Sequence, residues 1–234
     1  MKSKINKKSR NLVIGMLLGD GTISSNYSFK MCHSIKQEEY LKWKISKLKE
    51  HGIRNNGLKY YVSTFGYNPG TKFVYTQLNV LPFFKVLRRV MYQPKKKINS
   101  RKILNRLSPL EIAIWYMDDG HVNVLYAKEK VKSLYIKIAT CQSKEDNQVI
   151  IDYFREVWNI NFYQFSEGKG TYSISCGTQE SKKFVALVKK YVLEVPSMWY
   201  KIRNKMTKDN FNNYLVENNI LEMLNTDIIG EDMV

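Results

Sequence analysis

No apolar run in this chain reaches the ~18 to 20 residues that a membrane-spanning helix needs. Cysteine is scarce as well. Cys32, Cys141 and Cys176 are odd in number and lack metal-ligand spacing. Neither a disulfide framework nor a zinc site is expected, but reduced, buried thiols in an intracellular protein. The three histidines, His33, His51 and His121, have no ligand spacing either. The largest deficit is of negative charge: 21 Asp and Glu stand against 38 Lys and Arg, a net +17. Two basic stretches that contain no acid stand out. One is the N-terminal arm, residues 1–11, with Lys2, Lys4, Lys7, Lys8 and Arg10; the other is residues 93–106, with Lys95, Lys96, Lys97, Arg101, Lys102 and Arg106. Such a surplus calls for a polyanionic partner, nucleic acid before a membrane surface. The arm runs straight into an apolar helix and does not read as a cleavable signal. With 44% hydrophobic residues, 234 residues can bury one large core or two small ones.

Where acids do occur, two are placed with care. Leu12 to Gly21 reads LVIGMLLGDG and Ile112 to Gly120 reads IAIWYMDDG. Each is an apolar helix-length run that ends in an acid followed by glycine. Gly15 and Gly19 share one helix face and let another backbone come close. Ser108-Pro109-Leu110-Glu111 supplies a cap, a first-turn proline and a capping-box glutamate for the second run. Gly21 and Gly120 read as stops just past each helix. Asp20 and Asp119 then lie at helix C-terminal ends, where the helix dipole disfavours negative charge. Two carboxylates brought together there need a cation between them, and hard oxygen ligands suit Mg²⁺.

The flanks repeat in pattern more than in letters. After the first motif, Thr22 to Asn26 reads as a polar turn. Tyr27 to Ser34 alternates, with Phe29 and Met31 on one face and Ser28, Lys30 and Cys32 on the other, as in a half-buried strand. Ser34 and Gln37 read as a capping box opening a helix over 35–51. A strand pair is expected at 58–65 and 72–79, then a helix over 80–92. From 109 the order restarts: helix, strands near 122–127 and 133–141, a helix to about 158, strands near 160–166 and 171–176, and a helix over 179–192. The organisation is therefore a first half over 1–92 with its basic arm, a connector over 93–108, a second half over 109–192, and a tail over 193–234. The tail is basic from Pro196 to Lys208, with one more helix expected near 208–224. Its acidic end carries Glu217, Glu222, Asp227, Glu231 and Asp232.

Both runs resemble the LAGLIDADG motif of homing endonucleases, in the single-chain form that carries it twice. The resemblance implies an α+β fold of two pseudo-symmetric αββαββα half-domains. Their motif helices pack at the centre, and two antiparallel sheets form a DNA-binding saddle. It implies that Asp20 and Asp119 hold divalent metal, Mg²⁺ with Mn²⁺ as a substitute, aided by the backbone carbonyls of Gly19 and Asp118. Asp118 is an extra acid where the first copy has Gly19. Trp115 and Tyr116 depart from the motif's small residues, so the second helix cannot copy the first one's close-contact face. The family's one basic active-site residue per half falls on Lys201 in the second half, and on Lys97 or, with a one-residue shift, Lys96 in the first. Its polar residue near the attacking water falls on Gln142, with Cys141 as the other register, and on Ser34 in the first half. Parity divides these two: Gln142 shares it with Ile136 and Ile138, Ser34 with Lys30 and Cys32, and a bulge would reconcile them. The DNA-facing side of the sheets is expected to include Lys30, Ser34, Lys36, Lys59 and Tyr61, with Lys137 and Lys144 in the second half. Strands of this kind fit the major groove, where base edges are distinguishable.

The reading that follows is a monomeric, site-specific, metal-dependent endonuclease acting on double-stranded DNA. It makes a double-strand break with 3′ overhangs in a long asymmetric site and promotes intron mobility. The intron-encoded type is favoured because no intein splicing blocks are present. The alternatives on the same fold are an intron maturase that binds its own group I intron RNA, and a DNA-binding regulator that does not cut. Neither needs both acids intact. The sequence shows no GIY-YIG or His-Asn-His nuclease pattern.

Overall fold

The computed structural model describes residues 6–64, 69–92, 100–127 and 130–202. The apolar run after the basic arm forms α1 (Lys7–Leu18), started by Asn6, whose side chain accepts the Ser9 N–H at 2.8 Å. Then follow β1 (Thr22–Ile23), β2 (Phe29–Ser34), a single 3₁₀ turn, α2 (Glu38–Glu50), β3 (Lys59–Val62), β4 (Lys72–Gln77) and α3 (Pro82–Met91). A short α4 (Arg101–Leu104) leads into α5 (Pro109–Asp119), β5 (Gly120–Ala127), β6 (Lys130–Gln142), α6 (Lys144–Trp158), β7 (Tyr163–Gly168), β8 (Thr171–Cys176) and α7 (Thr178–Leu193). A 3₁₀ turn, Pro196–Lys201, closes the described chain.

The two halves repeat one topology. Their antiparallel sheets run β1-β2-β4-β3 and β5-β6-β8-β7. In each, alternate side chains bury against helices on one face and leave the other wet. In β2, Phe29, Met31 and His33 face inward while Lys30, Cys32 and Ser34 do not. α1 and α5 pack on one another at the middle, and one continuous apolar core runs through both halves.

Some local readings change. Thr22 and Ile23 form a strand rather than a turn, pairing with Lys30 and Phe29, because Ile23 is buried. The Ser34 side chain does not cap a helix; a 3₁₀ turn intervenes, and Gln37 instead donates to the Tyr200 hydroxyl at 3.1 Å. α4 lies in the stretch read as plain connector: Ser100 caps it, and Ile103 and Leu104 reach the core. The expected helix near 208–224 and the acidic tail lie outside the described residues.

The motif glycines are needed for closeness, not for left-handed backbone. Gly19 and Gly120 both have φ −84°. A Cβ on Gly15 would sit 2.9 Å from the Glu111 Cα, and one on Gly19 would fall 2.5 Å from the Asp118 Cβ. A Cβ on Gly120 would meet the Tyr116 ring. The first helix thus presents a bare face to the second. Trp115 and Tyr116 turn the other way, against Phe154 and Phe184.

Gly15→Ala is expected to cost about 1–3 kcal/mol, since backbone cannot step aside as a flexible side-chain tip can. Thermal denaturation should show a loss of several degrees.

Candidate active site at the paired helix ends

α1 ends at Leu18 and Asp20 follows two residues later; α5 ends on Asp118 and Asp119. The helix contact brings these ends together. The side chain of Asp118 crosses to the first helix and fills the place left by Gly19. It is wholly buried there, and both its oxygens are engaged. Oδ1 takes the Lys44 ammonium at 2.5 Å, and Oδ2 accepts the Asp20 backbone N–H at 3.0 Å. Lys44 comes from the inner face of α2 and is itself wholly buried. Its Nζ also lies 3.2 Å from His33 Nε2 and 4.3 Å from the centre of the Tyr40 ring. The Tyr40 hydroxyl donates to the Ile114 carbonyl at 3.1 Å, tying α2 to α5.

His33 completes this group from β2. Its Nδ1 lies 3.5 Å from Asp20 Oδ2. An ammonium only donates, so Nε2 accepts and Nδ1 carries the hydrogen. Burial first, and the Lys44 charge next, lower the His33 pKa to about 4. The imidazole is therefore neutral at pH 7.

Lys201 approaches from the other side. Its Nζ donates to the carbonyls of Gly120 at 2.7 Å and Asp118 at 3.2 Å, capping the negative end of α5. The Tyr116 hydroxyl fixes the Lys201 carbonyl at 2.6 Å. Burial lowers the Lys201 pKa against the pull of Asp118, Asp119 and Asp20, so all three acids lie within its electrostatic reach. Asp119 is half-buried and Asp20 more open, its side chain 43% exposed.

Over residues 10–184 the chain matches the model of the LAGLIDADG DNA endonuclease family. It belongs to that family. Its fold is that of the homing endonuclease I-WcaI bound to its DNA recognition sequence, at a TM-score of 0.71 and 19% identity, over 87% of this chain and 89% of that one. It is also similar to Protein RecA of Mycolicibacterium flavescens, 32% identical over 214 residues, which are 85% of this chain and 47% of that protein. Protein RecA of Mycolicibacterium fallax is 29% identical over 205 residues, 82% of this chain and 45% of that protein. The chain spans about half the length of these curated relatives. No helix among the described residues is long and apolar enough to cross a membrane.

LAGLIDADG endonucleases are metal-dependent nucleases, and the donor set here fits a hard cation. One oxygen or nitrogen each of Asp20, His33 and Asp118 lie within 4.8 Å of one another. That trio is nonetheless no ready ligand set. Lys44 already stands between His33 and Asp118, and each Asp118 oxygen already holds one protein partner. Asp20 is the most open of the three. At the end of β6, Gln142 has a buried Oε1 without a hydrogen-bond partner, an acceptor that an ordered water would satisfy.

The sequence-derived candidates fall in three places. Asp20, Asp119, Asp118, Gly19 and Lys201 come together at the helix ends. Lys96 and Lys97 lie outside the described residues. Lys30, Ser34, Lys59, Tyr61 and Lys137 lie on the wet faces, with Lys36 and Lys144 exposed at the starts of the following helical segments. Lys30 stands 4.2 Å from the Tyr75 ring centre and 5.6 Å from that of Tyr61; Lys137 pairs with Glu167 at 2.7 Å.

Ser34 and Gln142 are backbone counterparts, paired with Phe73 and Tyr172 at the ends of their strands. β6 carries a bulge between Ile138 and Gln142, with Cys141 at φ +50°. In the first half, however, the residue that reaches Asp20 is His33, one position before Ser34, because parity sends Ser34 to the wet face. His33 and Lys44 were legible as anomalies. His33 shares the core parity of Phe29 and Met31, and Lys44 lies on the apolar stripe of Leu41, Ile45 and Leu48. His121 lies on the wet face, bonded to Asn123 at 2.9 Å.

Lys44→Met alone strands the Asp118 charge and should destabilise by about 3–5 kcal/mol, whereas Lys44→Met with Asp118→Gly removes both charges and should recover most of it. Chemical denaturation of the three proteins checks this. The folded His33 pKa lies below its unfolded value, so between pH 6.5 and about 4 the unfolded chain binds a proton that the folded protein refuses. Stability should therefore fall as pH drops through that window, by up to about 3 kcal/mol from this group. In metal-free buffer His33→Gln should show a shallower fall than the parent.

Proposed function

We propose that this protein is a site-specific homing endonuclease that makes a metal-dependent double-strand break, with 3′ overhangs, in a long asymmetric DNA target and so promotes mobility of the element encoding it. The observation that carries this reading is the meeting of the two helix ends, where Asp118 accepts the Asp20 N–H and Lys201 holds the carbonyls on either side of Asp119, beside sheets whose wet faces carry Lys30, Lys59 and Lys137. A regulator or scaffold has no use for acids concentrated at two helix C-termini.

Asp20 and Asp119 would hold divalent ions, Mg²⁺ being the expected one. When bound, such ions supply an activated water and neutralise charge on the leaving oxygen. The rest is done by the chain. The sheets hold each strand by phosphate contacts and read base edges with polar side chains. Lys201, fixed by the carbonyls of Gly120 and Asp118, places a buried positive charge near the phosphate that gains negative charge. Lys96 or Lys97 is the proposed partner of Lys201 in the first half.

Purified protein incubated with Mg²⁺ and the home gene lacking the inserted element should cut both strands. Asp20→Asn and Asp119→Asn should each abolish the double-strand break and leave DNA affinity within a few-fold. Affinity should fall with salt at a log–log slope of about −0.9 per phosphate contacted. Cleavage without divalent metal, or at the normal rate by either variant, would refute the mechanism. Tight binding to the intron RNA with no cutting of DNA would replace it with the maturase reading.

A further inference from the structure

Lys201 belongs to the second half by sequence, but the backbone that carries it lies against the first. After α7 the chain turns at Glu194 and enters the 3₁₀ turn Pro196–Lys201. That turn packs on α2 and on the short turn before it, as well as on α5 and α7. A row of α2 side chains holds it there. Glu39 Oε2 accepts the Ser197 N–H at 2.9 Å. The Trp43 indole N–H donates to Glu194 Oε2 at 2.8 Å, and Lys47 Nζ reaches the same oxygen at 2.9 Å. Glu39, Trp43 and Lys47 succeed one another at helical spacing, so a single face of α2 meets the segment. Gln37, just before α2, donates to the Tyr200 hydroxyl at 3.1 Å. At Lys201 itself the second motif takes over: the Tyr116 hydroxyl holds the Lys201 carbonyl, and Nζ donates to the carbonyls of Gly120 and Asp118.

We infer that residues 194–201 are a strap through which the first half positions Lys201 at the end of the second motif helix, with Glu39, Trp43 and Lys47 as positioning residues. The inference rests on the endonuclease reading above. A 3₁₀ turn is short and its hydrogen bonds are poorly aligned, so it holds its shape badly alone. A lysine side chain gives up much rotamer freedom when its ammonium is pinned. The ammonium therefore stays between the two carbonyls only while the backbone beneath it is fixed. The bonds from Glu39 and to Glu194 lie at the surface, where each adds little to stability. Their effect is on place: an error of about an ångström at a reacting centre costs up to about a hundredfold in rate. Lys201 is then in position only when the two halves are docked.

Glu39→Ala with Glu194→Ala removes both acceptors at exposed positions and leaves the core untouched. Glu39→Gln with Glu194→Gln loses the same charges but keeps an acceptor oxygen at each position, so changes in general attraction for DNA are common to the two proteins. With Mg²⁺ and saturating target DNA, the alanine pair should cut at least about tenfold more slowly, and the glutamine pair within about threefold of the parent. A second readout needs neither DNA nor metal. The protein is exposed briefly to acetic anhydride, and acetylation of each lysine is read by peptide mass spectrometry. Lys201 and Lys44 are 7% and 0% exposed, so both should be protected in the parent and in the glutamine pair. In the alanine pair Lys201 should become severalfold more reactive while Lys44 stays protected. A Lys201 still protected in the alanine pair would overturn the inference, and so would cutting by that pair at the parent's rate. Lys201 and Lys44 opening together would overturn it too, since that marks a general loosening of the fold. If the parent cuts no DNA under any condition, the endonuclease reading fails, while the acetylation pattern still decides whether the strap holds Lys201.

Discussion

The buried pair of Asp118 and Lys44 is the constraint on which the centre depends. A carboxylate inserted between two apolar helices is tolerable only beside a cation and with its second oxygen bonded. Lys44 supplies the first and the Asp20 backbone N–H the second. The pair fits only because residue 19 is glycine, which leaves the volume the Asp118 side chain occupies. One small residue on α1, one acid on α5 and one lysine on α2 thus fix how closely the two halves meet and where Asp20 stands.

From that junction outward, the repeated topology follows from parity. Each strand buries alternate residues under helices and leaves the others to solvent. The wet faces are less uniformly basic than a surplus of +17 leads one to expect. On the first, Tyr61 stacks on Phe73 with centres 5.2 Å apart, and Lys30 lies over the neighbouring Tyr75. On the second, Glu167 holds Lys137. Aromatic faces, paired charges and small polar groups discriminate among bases better than unpaired lysines, which bind every phosphate alike. On the proposed reading, general attraction for DNA comes from the net charge of the whole chain and selectivity from these mixed faces.

Much of the architecture was legible because periodicity is a local property. The inward placement of Phe29 and Met31, the proline-started α5 and the strand pairs follow from alternation, caps and turn residues. The readings that changed depended on distant partners. Ser34 has the composition of a helix cap, but the neighbouring Gln37 is drawn toward Tyr200. Gly120 does end α5 and Gly21 lies just past α1, but neither backbone is left-handed; what excludes a side chain is the crowding of Met16 and Phe29 around Gly21 and of Tyr116 around Gly120. His33 lacks ligand spacing because its two neighbours, Asp20 just after α1 and Lys44 on α2, come from other parts of the chain.

By itself the sequence determined the family, the repeated half and the surplus of positive charge, since each is carried by local pattern or bulk composition. Tertiary structure alone decided that Lys44 is the buried counter-ion of Asp118, and that His33 instead of Ser34 stands beside Asp20. Those assignments depend on which side chains two non-adjacent helices and a strand bring within a few ångströms, and in a dry junction it is that proximity that sets which charges are paired and which are open to a ligand.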